Sequence, residues 1–399
     1  MGSQCQFAPA SAWALLKSSL PLAQARWARG TAPKYLERKG DKTMKRQTSS
    51  PRKQALSKLS DDRCRSRREA LAMLSAVGAG MVLAPSASVA QSANKVRNGA
   101  VAENASGTTV RRPERYEDSL IFERKPFAWP GGKTLAVWVI PNVEAWSYDS
   151  AVGVTTSPNA GNTVPDVINY AWREYGMRVG LWRIADVLDS AGVRATVALN
   201  SSVCEVFPKV VEEMKKRHWE FMGHGITNSQ LLSSLSSVDE EKNVIQTALR
   251  TIEHAVGERP KGWLGPGLAE TFNTLDILAE EGVRYVGDWN NDDQPYPMKV
   301  RRGKLFSLPY CMELNDIGLL ARHGYTGEEY LKAVTDQFET LYSESQKLPR
   351  VMGIPLHPFL TGQPLHIKYF QQAIAHMQRQ DRVWFATGNE IAEAYERLQ

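Results

Sequence analysis

The feature that most constrains this fold is an alternation of short apolar segments with longer amphipathic ones, which begins at Lys133 and continues to the C-terminus. The short segments, such as "KTLAVWVIP" and "VRATVAL", are apolar throughout and rich in the β-branched residues that strands favour. The longer segments repeat their apolar residues at helical spacing. Strands that are apolar on both faces are typical of parallel sheets covered by helices on each side.

The number of apolar segments favours a barrel over an open sheet. We predict eight strands, within residues 133–141, 193–199, 219–223, 261–265, 283–288, 304–310, 350–357 and 382–387. This pattern fits an α/β fold, an irregular (β/α) barrel of parallel strands with its active site at their C-terminal ends. We expect irregularity because residues 289–303 lack a helical pattern. Three helix starts have capping-box spacing: Ser237 with Glu240, Thr326 with Glu329, and Thr387 with Glu390.

The positive charge of the chain is concentrated in its N-terminal part. The net charge is +6, but residues 1–90 hold 16 Lys and Arg against 5 Asp and Glu, whereas the remainder holds 33 against 38. A nucleic-acid-binding domain needs basic residues clustered on its folded surface. The mildly acidic remainder therefore argues against a nucleic-acid partner.

Residues 1–90 have the composition of a disordered basic leader, with a twin-arginine-like signal peptide at about 63–90. The paired Arg67 and Arg68 precede an apolar run that Pro85 ends, and Ser88 and Ala90 suit a cleavage site. The run is too short to span a membrane well, so no stable insertion is expected after cleavage. The expected location is periplasmic or secreted, or cytoplasmic if the leader does not function.

Beyond the leader we expect a linker or arm at residues 91–130 and a catalytic domain at 131–399. Cys204 and Cys311 are the cysteines that follow the leader. They can pair in an oxidising compartment or remain free thiols.

Polar and aromatic side chains follow nearly every predicted strand. In chain order they are Asn142 and Glu144, Asn200, His224, Trp263, Asp288 with Trp289 and Asp292, Tyr310, and His357. Each has an ordinary structural interpretation, such as a buried histidine, a turn cap or a solvated carboxylate. The C-terminal ends of barrel strands meet at one rim, and this convergence favours an active site.

Five segments resemble, in chain order, the motifs of the polysaccharide deacetylase (NodB-homology) superfamily. They are "WPGGKTLAVWVIPNVEAW", "EFMGHGITNS", "GWLGPG", "YVGDWNNDDQPY" and "IPLHP", and the similarity covers roughly residues 115–399. The sequence looks most like the branch that contains allantoinases and cyclic-imide hydrolases. The resemblance implies an irregular β/α barrel that hydrolyses carbon–nitrogen bonds other than peptide bonds.

The same resemblance implies a metal site, and the sequence departs from it. Deacetylases of the superfamily carry two adjacent aspartates, one a base and one a metal ligand. Here Glu144 stands at the base position and Ala145 at the ligand position. His224 keeps the first metal-binding histidine, Asn228 replaces the second, and Leu264 replaces a motif arginine.

These departures remove most of the ligands that a metal ion would need. A catalytic zinc ion usually takes three protein ligands and a water, and the family positions supply one. We therefore expect no cofactor, because Ala145 and Asn228 disfavour a divalent metal such as zinc. A site rebuilt from Glu144, His224 and His357 is the alternative, since two histidines and a glutamate are an allowed ligand set.

We expect a hydrolase that cleaves a small or cyclic amide without a required metal. Glu144 is the expected general base, with a pKa raised by apolar surroundings. His357 is expected to protonate the leaving nitrogen, and His224 to position the water or stabilise the oxyanion. Asp288 is expected to orient a histidine and hold its tautomer.

Substrate contacts are expected from a further set of rim residues: Asn142, Asn228, Trp263, Trp289, Asp292 and Tyr310. Two alternatives stay open at this point, a metal-dependent polysaccharide or chitooligosaccharide deacetylase and a non-catalytic barrel that binds carbohydrate or another ligand. The expected partners are a small amide or acetylated saccharide, and further copies of the chain in a homo-oligomer.

Overall fold

The computed structural model describes residues 101–103, 109–149 and 164–399. The predicted leader and its signal peptide lie outside these residues, so the predicted domain boundaries stay predictions. Among the residues described, no helix is long and apolar enough to cross a membrane. Cys204 and Cys311 are both free thiols, so the disulfide considered above does not form.

A curved, mostly parallel sheet forms the body of the structure. A separate antiparallel hairpin joins β1 (Val101–Glu103) and β2 (Thr109–Arg111). The sheet strands are β3 (Leu135–Val143), β4 (Thr196–Leu199), β5 (Glu220–Gly223), β6 (Gly262–Trp263), β7 (Tyr285–Val286), β8 (Tyr296–Met298), β9 (Leu305–Ser307), β10 (Arg350–Leu356) and β11 (Val383–Phe385). Their order is β10-β3-β4-β5-β6-β7-β9-β8, with β11 also on β3. The expected irregular β/α barrel is confirmed.

The irregularity lies where the sequence predicts it. Between β7 and β9 the chain makes no helix, and β8 instead pairs antiparallel with β9. The described strands show no ladder between β9 and β10. The chain that follows β9 nevertheless reaches β10, since a Cβ at Gly353 would lie 2.3 Å from the Tyr310 carbonyl oxygen. Glycine at this position therefore lets the two backbones meet.

Strand β3 shows why the strands are apolar throughout. Its odd-numbered residues Leu135, Val137 and Val139 belong to the core between the sheet and outer helices. Its even-numbered residues Trp138 and Ile140 belong to the interior of the curved sheet. Because successive side chains of a strand point to opposite faces, both faces of β3 are buried.

Nine α-helices surround the sheet in the described part of the chain: α1 (Val167–Tyr175), α2 (Leu181–Ala191), α3 (Val203–Val206), α4 (Pro208–Lys216), α5 (Val238–Val256), α6 (Thr274–Glu280), α7 (Gly327–Glu344), α8 (Ile367–Gln378) and α9 (Gly388–Glu396). Thr326 and Thr387 begin α7 and α9 with complete capping boxes, as predicted. Ser237 caps α5 through the Glu240 amide, but the Glu240 carboxylate bonds Ser236 instead.

Two helical regions have features that local sequence patterns do not give. Helices α3 and α4 are separate, and α4 begins at Pro208, which lacks an N–H and suits a helix start. Helix α1 was not predicted. It continues through a π-helical turn at residues 176–180 into α2, although Gly176 and Gly180 lower helix propensity. Tertiary contact explains these glycines, since a Cβ at Gly180 would lie 2.0 Å from the Pro358 carbonyl oxygen.

Candidate active site

Glu144 follows the C-terminal end of β3 and lies at the centre of the site. Its side chain is 6% exposed. The Asn228 amide donates to Oε1 at 2.7 Å, and the Trp146 indole donates to Oε2 at 3.2 Å. Asn200 links the segments that follow β3 and β5, because its side chain accepts a hydrogen bond from the Ala145 amide and donates one to the His224 carbonyl.

Two histidines from distant strands converge on the same carboxylate oxygen. His224 follows β5 and places Nε2 3.5 Å from Glu144 Oε1. His357 follows β10 and places Nε2 3.6 Å from the same atom. Both imidazoles are buried. The structure therefore brings together Glu144, His224, His357 and Asn228, as the sequence predicts.

The second nitrogen of each histidine has a different partner. His224 Nδ1 lies 2.6 Å from the Leu264 carbonyl oxygen, which can only accept, so Nδ1 carries a hydrogen. His357 Nδ1 lies 2.6 Å from Asp316 Oδ1. Asp316 is fully buried, and its Oδ2 accepts from the His357 amide and the Thr361 hydroxyl.

Asp288 makes no direct contact with either imidazole, because all four ring nitrogens face other groups. Asp288 Oδ1 instead accepts from the Gly265 amide at 2.7 Å. The residue that orients His357 is Asp316, which comes from the segment before a short π-helix at residues 317–322. The sequence offers no strand end there that could have marked it.

The pKa values of Glu144 and His357 are shifted in opposite directions. Burial alone would raise the pKa of Glu144, but the nearby His224 and His357 imidazoles outweigh it and hold that pKa well below its usual range. This overturns the expected raised pKa. Burial alone would lower the pKa of His357, but Asp316 and Glu144 raise it to about 9. At neutral pH the site therefore holds a carboxylate beside an imidazolium.

A cavity of about 230 Å³ adjoins Glu144. Its apolar wall is formed by Trp146, Tyr170, Met177, Val206 and Phe207. The charged side chains that line it are Glu144, Arg173 and Glu174. The Glu144 carboxylate thus faces a mostly apolar space that is large enough for a small molecule.

Arg173 is a site residue that sequence interpretation missed, because it lies on the unpredicted helix α1. Its guanidinium lies 4.3 Å from the Trp146 ring centroid and 5.3 Å from that of Phe359. Burial lowers the pKa of Arg173 to about 10, and Glu144 opposes this shift. The guanidinium is still a cation at neutral pH, and it is held on aromatic faces beside the cavity.

Asn142 and Tyr310 form a buried layer of polar groups below Glu144. The Asn142 amide donates to the Tyr310 hydroxyl at 3.0 Å and to the Leu356 carbonyl at 3.2 Å. Tyr310 is 2% exposed, and neither residue lines the 230 Å³ cavity. The polar groups of Asn142 and Tyr310 thus satisfy each other, and their expected contact with substrate stays a prediction.

Three of the residues expected to contact the substrate have other partners in the structure. Trp263 is fully buried among core residues, and its ring would be 2.7 Å from a Cβ at Gly223. Trp289 packs against Tyr116 and donates to Glu270. Asp292 forms an ion pair with Arg124 at 2.5 Å. None of the three lines the cavity beside Glu144.

The residues present do not fit a catalytic metal ion. Ala145 offers a methyl group, and Asn228 turns an N–H donor toward Glu144 Oε1, the oxygen that both imidazoles approach. An N–H group at this position repels a cation instead of coordinating it. Within the described ranges, no group of three or more His, Cys, Asp or Glu side chains has metal-binding geometry.

Comparisons with known proteins agree with this architecture. Residues 173–286 match the family model for polysaccharide deacetylase. A polysaccharide deacetylase-type protein of Schizosaccharomyces pombe is 28% identical over 243 residues, which cover 56% of this chain and 74% of that protein.

Two solved structures share the fold at a TM-score of 0.64 each. A polysaccharide deacetylase-type protein from Pseudomonas aeruginosa is 25% identical and covers 70% of this chain and 98% of its own. PuuE allantoinase is 24% identical and covers 72% and 98%; its likeness concerns the fold. Strand order, rim motifs and the matched region agree: residues 173–286 match the polysaccharide deacetylase family, and the chain shares the fold of a polysaccharide deacetylase-type protein and of an allantoinase.

Proposed function

We propose that this protein hydrolyses a small or cyclic amide without a required metal ion. One observation carries the proposal: two imidazole Nε2 atoms lie 3.5 and 3.6 Å from a single oxygen of Glu144. Atoms at that separation can share one water molecule at roughly 2.8 Å from each. Because the residues at the family's ligand positions do not fit a metal, we propose that the protein side chains alone activate this water.

The charges suit a division of labour between the two ends of the reaction. Glu144, ionised at neutral pH, takes a proton from the water as its oxygen bonds to the amide carbon. His224, whose Nδ1–H is committed to Leu264, accepts a hydrogen bond from that water through Nε2. His357 then donates its Nε2 proton to the leaving nitrogen as the carbon–nitrogen bond breaks. The proton on Glu144 returns to His357 across the 3.6 Å between them.

Two groups are placed to recognise the amide itself. Asn228 Oδ1 is buried and has no hydrogen-bond partner among the described residues, so it can accept from a substrate N–H. Arg173 can stabilise negative charge that develops on the carbonyl oxygen or that the substrate already carries. Both residues flank Glu144.

The size of the cavity favours a small substrate over a polymer. Its volume of about 230 Å³ lies below the roughly 300–1,000 Å³ that is typical of sites for drug-sized ligands. The alternative, an acetylated saccharide, is supported by the family description and by the S. pombe relative. A barrel that only binds its ligand is the third candidate, and the predicted signal peptide would place any of the three outside the cytoplasm.

One set of assays separates these candidates. The full chain is incubated with allantoin, a cyclic imide and an acetylated chitooligosaccharide, each with and without a chelator. We expect chelator-insensitive opening of a cyclic amide. Chelator-sensitive release of acetate would instead establish the metal-dependent deacetylase. Ligand binding without turnover of any of the three substrates would support the third candidate, a barrel that only binds its ligand.

The base assignment has its own test. We expect Glu144→Gln to lower kcat by at least about 10²-fold, because a neutral amide cannot accept the proton of water. Glu213→Gln is the matched control, since Glu213 lies on the exposed face of α4 and pairs with Lys216. Full activity in Glu144→Gln would remove Glu144 as the base.

A further inference from the structure

The peptide group between Leu264 and Gly265 connects His224 to a carboxylate that the proposed mechanism does not use. Its carbonyl oxygen lies 2.6 Å from His224 Nδ1. Its N–H donates to Asp288 Oδ1 at 2.7 Å. These are the two polar ends of one amide, so Asp288 and His224 lie at opposite ends of a short hydrogen-bonded chain.

This hydrogen-bonded chain passes through a tight turn whose geometry requires glycine at position 265. A Cβ at Gly265 would lie 2.8 Å from the Ala269 carbonyl oxygen and 3.3 Å from Asp288 Oδ2. Any side chain at this position would push Asp288 or the turn away. The absence of a side chain therefore keeps the carboxylate close to the peptide N–H.

A second carboxyl group, that of Glu270, affects the charge of Asp288. Asp288 Oδ2 and Glu270 Oε1 are shielded from solvent and have no other hydrogen-bond partner in the described ranges. Burial and then mutual repulsion raise the pKa of Asp288, while burial raises the pKa of Glu270 to about 7. Arg115 and Glu241 also act on Glu270, with opposite signs.

We propose that Asp288, together with Glu270, is a positioning residue that acts on His224 through the Leu264–Gly265 peptide. Hydrogen bonds in series polarise one another. Negative charge on Asp288 draws the Gly265 N–H toward it, makes the Leu264 carbonyl a stronger acceptor and tightens its hold on His224 Nδ1–H. The inference deepens the proposed function and rests on it, because His224 holds the water there.

Asp288 and Glu270 are expected to have opposite effects on the hydrogen bonds that connect Asp288 to His224. Replacing Asp288 with asparagine keeps an acceptor for Gly265 but removes the charge. Replacing Glu270 with glutamine removes the group that repels the charge on Asp288, so Asp288 ionises more fully. A role in packing alone would not give these two isosteric changes opposite effects.

The test follows the Nδ1 proton resonance of His224 by NMR in the full chain labelled with ¹⁵N-histidine, at one fixed pH. The resonance is assigned by its loss in His224→Gln. We expect it to move downfield in Glu270→Gln and upfield in Asp288→Asn, since a stronger hydrogen bond deshields the proton. Asp293→Asn is the control, because it removes the same charge from the same loop and its side chain is 54% exposed.

Equal shifts in the two variants, or shifts of reversed order, would overturn the relay. The NMR measurement needs no turnover. It therefore tests the relay even if a fully active Glu144→Gln variant rules out the proposed mechanism. Where a substrate is turned over, we expect Asp288→Asn to lower kcat with KM unchanged, since His224 contacts the water. A rise in KM with kcat intact would contradict the inference.

Discussion

At the scale of single residues, the second partner of each histidine decides what the ring can do. His357 Nδ1 faces the buried carboxylate of Asp316, and His224 Nδ1 faces a neutral carbonyl. An imidazolium is stabilised far more by a carboxylate than by a carbonyl. His357 is therefore suited to give a proton, and His224 to hold a water.

Asp316→Asn tests this assignment of the acid. His357 has a pKa raised to about 9, so the acid is present at neutral pH and is lost as pH rises through 9. Without the charge of Asp316 the pKa falls, and the loss of activity moves to lower pH. We expect kcat at pH 8 to fall by on the order of 10²-fold or more.

The measurement is a pH–rate profile of the variant beside the parent. Thr361→Val serves as a graded comparison, because it removes one hydrogen bond to Asp316 but keeps the carboxylate. Its alkaline limb should move less than that of Asp316→Asn. An unchanged alkaline limb in Asp316→Asn would show that His357 is not the acid.

The sequence predicts the residues at the ends of strands better than those on helical segments. Glu144, His224 and His357 follow strand ends, and the geometry of parallel strands brings them to one rim. Asp316 lies 41 residues before His357 in the chain, and no local pattern links the two. Trp263 was misplaced because Gly223, on the neighbouring strand, leaves room for its indole inside the core.

At the scale of elements, the turn between α1 and α2 supports the loop that carries His357. Gly180 and Gly362 approach each other so closely that a Cβ on Gly362 would lie 2.4 Å from the Gly180 carbonyl oxygen. Propensity alone disfavours a helix through two glycines. The element could not be predicted locally, because contacts with residues 358–362 determine it.

Gly180→Ala tests this contact. Its Cβ would lie 2.0 Å from the Pro358 carbonyl oxygen, and backbone must move to admit it. We expect a loss of about 3 kcal/mol in the free energy of unfolding, measured by urea denaturation. The control is Gly318→Ala in the π-helix after Asp316, where the nearest atom lies at 3.9 Å. Equal stability of the two variants would contradict the close approach.

At the scale of the whole molecule, a segment from the predicted linker is bound to the barrel surface. Arg115 contacts Asp276 at 3.0 Å, and Arg124 forms a two-pronged ion pair with Asp292. Both side chains of the second pair are at most 16% exposed. The arm therefore adds stability to the loop between β7 and β9, which lacks a helix to cover it.

Arg124→Met is expected to reduce the free energy of unfolding by about 2 kcal/mol, because it leaves Asp292 partly buried without its partner. Arg112→Met provides the comparison, since Arg112 and Asp118 form an ion pair whose side chains are 62% and 67% exposed. Exposed pairs contribute about 0–1 kcal/mol. Chemical denaturation measures both, and a loss in Arg124→Met no larger than in Arg112→Met would show that the arm does not stabilise the barrel.

The overall architecture was the most predictable level, because the alternation of apolar and amphipathic segments repeats along the whole barrel and a local error does not change it. All eight predicted strands exist, although β6 and β7 contain two residues each. Strand β8 was missed because Tyr296–Met298 is only three residues long and contains Pro297, which strands disfavour. Association into a homo-oligomer stays a prediction, since a single chain does not test it.

The contact between Asn228 and Glu144 couples two positions that a metal site would need to change together. A histidine at position 228 would remove the amide that donates to Glu144 and would still leave only a methyl group at Ala145. A single substitution at either position therefore disturbs the present arrangement without completing a set of metal ligands.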